Sequence, residues 1–250
     1  MDTATQRNFI LGDSWLYYKI YTGPKTADLV LSEIILPVAQ DLIEKGIIDK
    51  WFFIRYADPK HHLRVRFHYS EPKHVGAIIN ALYPRLKQFV DQDLIWKLQI
   101  DTYQREIERY GSNTIELAET LFYHDSIMIT KFIEMIEGDE GEELRWLFSL
   151  RAMNSFLDEF EYTLEEKRDL MVVMSTNFRS EFDSSKFLGK QLNDKYRSEK
   201  DKIKEFMNFT AQDNPDYAPI LDVLEERDIN SKPIIKEVFC LLYTSPSPRD

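Results

Sequence analysis

Residues 51–69 read WFFIRYADPKHHLRVRFHY, and the fold turns on how this stretch pairs with itself. Two runs rich in aromatic and β-branched residues flank Ala57-Asp58-Pro59-Lys60-His61, whose Asp and Pro supply turn chemistry, so the stretch reads as a β-hairpin. In the second run Leu63, Val65 and Phe67 alternate with Arg64, Arg66 and His68. A strand repeats every two residues, which puts the three apolar side chains on one face and two neighbouring arginines on the other. Like charges that close repel, and a sheet gains nothing from them unless something anionic sits opposite. The first run adds Arg55 among Trp51, Phe52, Phe53, Ile54 and Tyr56. Guanidinium groups in apolar surroundings need partners, and a planar guanidinium grips a carboxylate through two parallel hydrogen bonds. The cluster therefore reads as a site for a carboxylate-bearing ligand. The plainer alternative is a half-buried strand whose polar face is solvated or paired with acidic side chains.

Outward from the hairpin, residues 14–22 (SWLYYKIYT) form a first strand broken by Gly23-Pro24. From Thr26 the residues Leu29, Ile34, Ile35, Val38, Leu42 and Ile43 recur at helical spacing, with Pro37 as a kink and Gly46 as the stop. Lys73–Val90 reads as a second helix around Val75, Ile78, Ile79, Leu82, Leu86 and Phe89, disturbed at Pro84. Lys97–Arg105 alternates again and reads as a sheet partner for the hairpin. From Gly111 the period is helical throughout. Asn113 with Glu116, and Thr163 with Glu166, have the spacing of helix-start capping boxes. Leu117, Leu121, Met128, Phe132, Met135, Ile136, Leu144, Leu147, Phe148 and Leu157 supply apolar stripes, and Lys195–Asn208 reads as a solvated helix. The fold class that follows is α+β: an antiparallel sheet in the N-terminal half, with strands near 15–21, 51–56, 62–69 and 97–104, packed by helices that dominate after residue 111.

Composition narrows the function. The 250 residues are 43% hydrophobic and 30% charged, enough for one large domain. A net charge of -11 and a pI near 5.1 supply no field for a polyanion, which argues against direct nucleic-acid or anionic-membrane binding while leaving room for a local basic pocket. No apolar run approaches the roughly 20 residues of a membrane span, and the N-terminus lacks the basic-then-apolar order of a signal peptide, so the chain reads as cytoplasmic. Cys240 is the only cysteine. There is no Gly-rich phosphate loop, no His/Cys metal spacing and no nucleophile elbow, and no metal or cofactor is expected. The last eleven residues, CLLYTSPSPRD, resemble one reading frame of a sequencing-library adapter. Residues 1–239 are read as the native part, cut short at its C-terminus, and 240–250 as a non-native tail; the alternative is a disordered Pro/Ser tail.

The blocks WLYYKIYTG, DKWFFIRYADPKHHLRVRF, DTYQREIERYG and ELAETLFYHDS, in that order, resemble the C-terminal, glutamate-eliminating domain of lantibiotic dehydratases, the thiopeptide-type bacteriocin biosynthesis domain. The resemblance covers most of the chain up to Phe239. It implies that a partner domain, fused or separate, transfers glutamate from glutamyl-tRNA onto Ser or Thr of a precursor peptide, and that this chain expels it to leave dehydroalanine or dehydrobutyrine. The initial Met and short lead-in read as a stand-alone elimination protein with a separate glutamylating partner, the alternative being a fragment of a longer protein. A lanthionine cyclase is a further implied partner.

Eliminating an acyl glutamate requires removal of the Ser/Thr α-proton and stabilisation of negative charge on an enolate-like oxygen and on the departing carboxylate. By resemblance the functional arginines fall on Arg64, Arg66 and Arg105, which are expected to converge on one pocket, with Arg55, Tyr103 and Arg109 in supporting contact with substrate. Arg109 has a plain alternative as a surface pair with Glu106 or Glu108. His61 and His62 are read as turn residues, with a proton shuttle as the alternative. The family also carries a later helix with a functional His, in a His-Met-x-x-Asn-Arg-like segment to which nothing here corresponds. Two rival readings remain: a pyridine-forming cycloaddition enzyme of thiopeptide assembly, whose members generally lack these arginines, and a non-catalytic precursor-binding subunit.

Overall fold

The structure, a computed structural model, describes residues 5–136, 138–181 and 186–244. It divides into two compact units, one made of the residues up to Met135 with those from Ile229 onward, the other of Ile136–Asp228. Composition alone had suggested one domain.

In chain order the first unit runs β1 (Asn8–Phe9), β2 (Trp15–Thr22), α1 (Pro24–Leu29), a π-helical turn (Val30–Ile35), α2 (Leu36–Glu44), β3 (Lys50–Tyr56) and β4 (His62–His68). It continues through α3 (His74–Asp91), β5 (Ile95–Ile100), β6 (Tyr103–Gln104), α4 (Ile107–Tyr110) and α5 (Ile115–Glu134). The hairpin forms as the alternation requires: β3 lies antiparallel to β4 with Trp51 opposite Phe67 and Phe53 opposite Val65. β2 takes the other side of β4, and the sheet order is β3-β4-β2-β5.

One face of this sheet is the core. Leu16, Ile20, Leu63, Val65 and Phe67 are each 0% exposed and pack with Val30, Ile34, Leu42, Ile78 and Leu82 from the helices. Each such side chain is worth about 1.5–3 kcal/mol of burial. The second face, with Trp15, Tyr17 and Phe52, is covered over part of its area by Phe9, Tyr103 and Phe122. That partial cover buries Arg66 and leaves Arg64, two residues along the strand, half-buried.

Three local expectations change. Residues 97–104 do not pair with the hairpin directly: β5 pairs with β2, Tyr18 opposite Ile100 and Ile20 opposite Leu98. The strand ends where the Asp101 carboxylate accepts the Thr102 N–H (2.8 Å), a local bond that competes with the ladder, and Tyr103–Gln104 leaves to pair with β1. At Pro37, read as a kink, the disturbance takes the form of a π-helical turn that runs on into α2. Proline cannot donate to the carbonyl four residues back, Glu33, and Arg85 of α3 donates to that carbonyl instead (3.2 Å), while the π-helical turn absorbs the change in register. At the start of α5 the N-cap is Thr114, without a side-chain cap, and Glu116 is turned toward Arg105 at 3.1 Å.

The second unit holds α6 (Gly138–Glu159), α7 (Leu164–Glu181), α8 (Lys186–Asn208), a 3-10 turn (Pro215–Tyr217) and the first part of α9 (Ala218–Thr244). Its core includes Leu144, Leu147, Phe148, Phe206, Phe209 and Leu224. The expected Thr163–Glu166 box is present: the Thr163 N–H donates to Glu166 (2.8 Å) and the Glu166 N–H to the Thr163 hydroxyl (3.3 Å). Arg151 donates to the carbonyls of Phe206 and Phe209 (2.8 and 3.0 Å), groups that a helix C-terminus otherwise leaves unbonded. Lys195–Asn208 lies in α8 with most side chains exposed. α9 runs on through residues 240–244 of the segment set aside from sequence, and 245–250 lie outside the described residues.

Candidate active site

Strand alternation places His62, Arg64, Arg66 and His68 on the second face of the sheet. Opposite Arg66 stand Tyr17 of β2 and Phe52 of β3; opposite Arg64 stand Lys19 and Ile54. No carboxylate faces either arginine from its paired residues. Aromatic faces do this for Arg66, whose Cζ lies 4.4 Å from the Tyr17 ring centre, 4.7 Å from Tyr103 and 5.0 Å from Phe52. The negative face of each ring attracts the cation without neutralising it. Arg66 is 6% exposed, and its Nε and Nη1 have no hydrogen-bond partner among the described residues. Burial pushes its pKa below the ordinary arginine value, opposed by Tyr17, Tyr103 and Glu119.

Arg64 is half-buried at the open end of the same face. The Tyr56 ring covers its guanidinium at 3.6 Å, and its Nε donates to His62 Nε2 at 3.2 Å. Its two Nη groups have no hydrogen-bond partner among the described residues. Beside it Lys19 is bonded to Asp101, and Lys97 lies 4.9 Å from the Tyr21 ring centre. The Asp101 bond raises the Lys19 pKa, and the same bond lowers that of Asp101. With Ile54 44% and Tyr56 40% exposed, this end of the sheet is an uncovered basic surface on a chain of net charge -11.

Arg105 is reached from this cluster through Tyr103, whose hydroxyl donates to Glu119 Oε1 (2.8 Å) while its ring borders Arg66. Glu119 also takes Arg105 through two bonds, Nε to Oε1 and Nη2 to Oε2, each 2.7 Å. Arg105 Nη1 donates to Glu116 (3.1 Å) and to the Gln6 carbonyl (3.3 Å). Every nitrogen of Arg105 is thus engaged within the fold. Burial works against its charge, and the bonds and charge of Glu119 more than offset this, leaving its pKa above the ordinary value. Burial, with Glu119 next to it, raises the Tyr103 hydroxyl.

The other candidates are placed differently. Arg55 is opposite Leu63, hence on the helix-covered face, where it is ion-paired with Asp28 and bonded to the Pro24 carbonyl. Alternation separates it from Arg64 and Arg66, and it is not part of their cluster. Arg109 stands in solvent, 3.4 Å from Glu106, the surface pair that had been its alternative. His61 is exposed, whereas His62 is buried at the first position of β4 with both ring nitrogens bonded. His68 ends the strand with Nδ1 2.6 Å from Asp49. A cavity lined by Tyr18, Ile79, Tyr83, Leu86, Leu98 and Ile100 lies on the helix-covered side of the sheet and includes none of the arginines, of which Arg64 and Arg66 share the other face and Arg105 is held by Glu119 and Glu116. No group of three or more His, Cys, Asp or Glu side chains among the described residues could hold a metal ion, and no helix among them is long and apolar enough to cross a membrane.

Sequence reasoning missed Tyr17, Phe52 and Glu119. The aromatics had a signal, since their strand positions pair with Arg66. Glu119 had little: at 0% exposure it sits on the buried side of a helix whose period looks the same with a surface glutamate in its place.

The sequence matches the family "Lantibiotic biosynthesis dehydratase C-term" over residues 15–241. It is 28% identical over 177 residues to the subtilin biosynthesis protein SpaB of Bacillus subtilis, covering 68% of this chain and 17% of that protein. It is 31% identical over 132 residues to the nisin biosynthesis protein NisB of Lactococcus lactis subsp. lactis, covering 52% of this chain and 13% of that one. The fold is similar to that of the tRNA-dependent lantibiotic dehydratase MibB from Microbispora sp. 107891, with a TM-score of 0.67 and 22% identity over 96% of this chain and 24% of that one. The chain thus spans less than a quarter of each of these relatives. On the match over residues 15–241, the chain belongs to the lantibiotic dehydratase C-terminal family.

Proposed function

We propose that this chain eliminates glutamate from glutamylated Ser or Thr residues of a ribosomal precursor peptide, leaving dehydroalanine or dehydrobutyrine. The observation that carries the reading is Arg66: a cation 6% exposed, with two unbonded nitrogens and aromatic rings where an acid would normally stand. An unpaired buried charge costs several kcal/mol, and a fold that keeps one beside a second, open arginine has a use for an anion there. In the reaction a base removes the α-proton, the electron pair becomes the Cα=Cβ bond, the Cβ–O bond breaks and glutamate leaves with the pair on its carboxylate. Arg64 presents its free Nη groups to the departing carboxylate, and Arg66 stabilises the enolate-like charge from below. Both interactions strengthen as charge develops, which is the condition for catalysis. Arg105 acts differently from its first assignment: it orients Tyr103 through Glu119. The peptide reaches this site already glutamylated, and the net charge of -11 offers no general field for a polyanion such as tRNA.

The test is to incubate the protein with glutamylated precursor peptide and follow mass. Elimination leaves the peptide one water lighter than its unmodified form. Retained glutamyl mass with tight peptide binding would replace the proposal with a non-catalytic subunit, and a product joining two dehydroalanines into a ring would replace it with cycloaddition.

A further inference from the structure

The position of Arg64 is set by one imidazole. His62 is 4% exposed, with its ring 4.7 Å from that of Tyr21 and 5.5 Å from that of Tyr56. Its Nδ1 lies 2.8 Å from the Lys60 carbonyl oxygen, which only accepts, so Nδ1 carries the hydrogen. Its Nε2 lies 3.2 Å from Arg64 Nε, which only donates, so Nε2 supplies a lone pair. Only the neutral ring, in the Nδ1–H tautomer, satisfies both contacts.

We propose that His62 is the positioning residue for Arg64, its neutral Nε2 anchoring Nε while Tyr56 covers the guanidinium face, so that the two Nη groups are held out as a fork toward an anionic group of the substrate. This rests on the elimination reading above. A proton on Nε2 would set N–H against N–H and release the fork. Among the described residues the charged side chain bonded to the ring is Arg64 on its own strand, and the rings packed on it from β2 and β3 are the phenols Tyr21 and Tyr56, with Lys97 of β5 over Tyr21. No carboxylate is bonded to the ring among the described residues, so nothing there compensates a second positive charge beside Arg64. His62 is therefore a gate on the arginine and not a shuttle for the substrate proton.

The experiment compares elimination rates above neutrality for the wild-type chain, His62→Gln, His62→Phe and Arg64→Ala, with glutamylated precursor peptide. Glutamine offers an acceptor oxygen to Arg64, and phenylalanine offers none. His62→Gln should keep a near wild-type rate, and His62→Phe should be slower by up to about 100-fold through misplacement of the guanidinium, with little further loss when Arg64→Ala is added to it. If His62→Phe folds poorly, the nitrogen shifts of the His62 ring decide. A wild-type rate in His62→Phe, or a rate in His62→Gln as low as in Arg64→Ala, would overturn the proposal while leaving elimination itself intact. Should the wild-type chain not eliminate at all, the functional reading fails, and the imidazole nitrogen chemical shifts of His62 judge the positioning role alone: an Nδ1–H tautomer with an accepting Nε2 upholds it, and an Nε2–H or doubly protonated ring at neutral pH ends it.

Discussion

Arg105 and Glu119 meet edge to edge, Nε 2.7 Å from Oε1 and Nη2 2.7 Å from Oε2, with the two side chains 4% and 0% exposed. Removing one member leaves the other charge buried, which typically costs about 3–5 kcal/mol. Glu119→Ala should therefore lower the unfolding free energy in urea by an amount in that range, with a matching fall in the midpoint, and Arg105→Ala similarly. Arg105→Met with Glu119→Leu should recover most of the loss, because the desolvation cost goes with the charges. A single substitution that leaves the midpoint unchanged would show that the pair does not hold α5 to β6.

Arg66 predicts the opposite separation. Its charge is buried without an acid partner, so Arg66→Met removes a desolvation penalty and keeps most of the side-chain volume. Stability should hold or rise in thermal melts, while elimination falls by about 100- to 1000-fold, the usual effect of losing one preorganised charge-stabilising donor. A melting loss as large as that of Glu119→Ala would make Arg66 a structural residue.

Arg55 belongs to the other face, paired with Asp28. Arg55→Ala should cost less than about 1 kcal/mol, as for other partly exposed ion pairs, and leave elimination kinetics at the wild-type level. A fall in kcat would mean that substrate reaches around the edge of β3.

The Lys19–Asp101 pair has a pH signature on stability. Asp101 has a lowered pKa in the folded chain, so its contribution is present above the unfolded value of about 3.9 and is lost as pH falls through the lower folded value. Lys19 has a raised pKa, so its contribution is present below about 10.4 and is lost as pH rises through the higher folded value. Wild type and Lys19→Met should thus differ in urea midpoint at neutral pH, with the difference closing in strong acid. A constant gap across that range would locate the effect in packing of the lysine stem.

The legibility of the chain followed the reach of each signal. Alternation over 62–68 was enough to predict the hairpin and the shared face of Arg64 and Arg66, because the two-residue period is a property of the backbone alone. Helical spacing found α3 and the buried positions Leu121, Met128, Phe132 and Phe148. It could not show that β5 pairs with β2, since alternation names a strand's faces but not its neighbour. Nor could it show the second compact unit, because apolar stripes do not say which other stripe they bury against.

The site divides along the same line. Sequence by itself determined that two guanidinium groups project from one strand beside aromatic residues, since that follows from covalent order and strand geometry. Only the tertiary structure decided which arginines remain available: Glu119, 14 residues from Arg105, saturates it; Asp28, 27 residues from Arg55, pairs with it on the opposite face; and His62 fixes Arg64 while Arg66 is left without an acid. The reason is that a cation's partner is chosen by proximity after folding, when burial strengthens each surviving ion pair and hydrogen bond, and such proximity is not written in the local period of the chain.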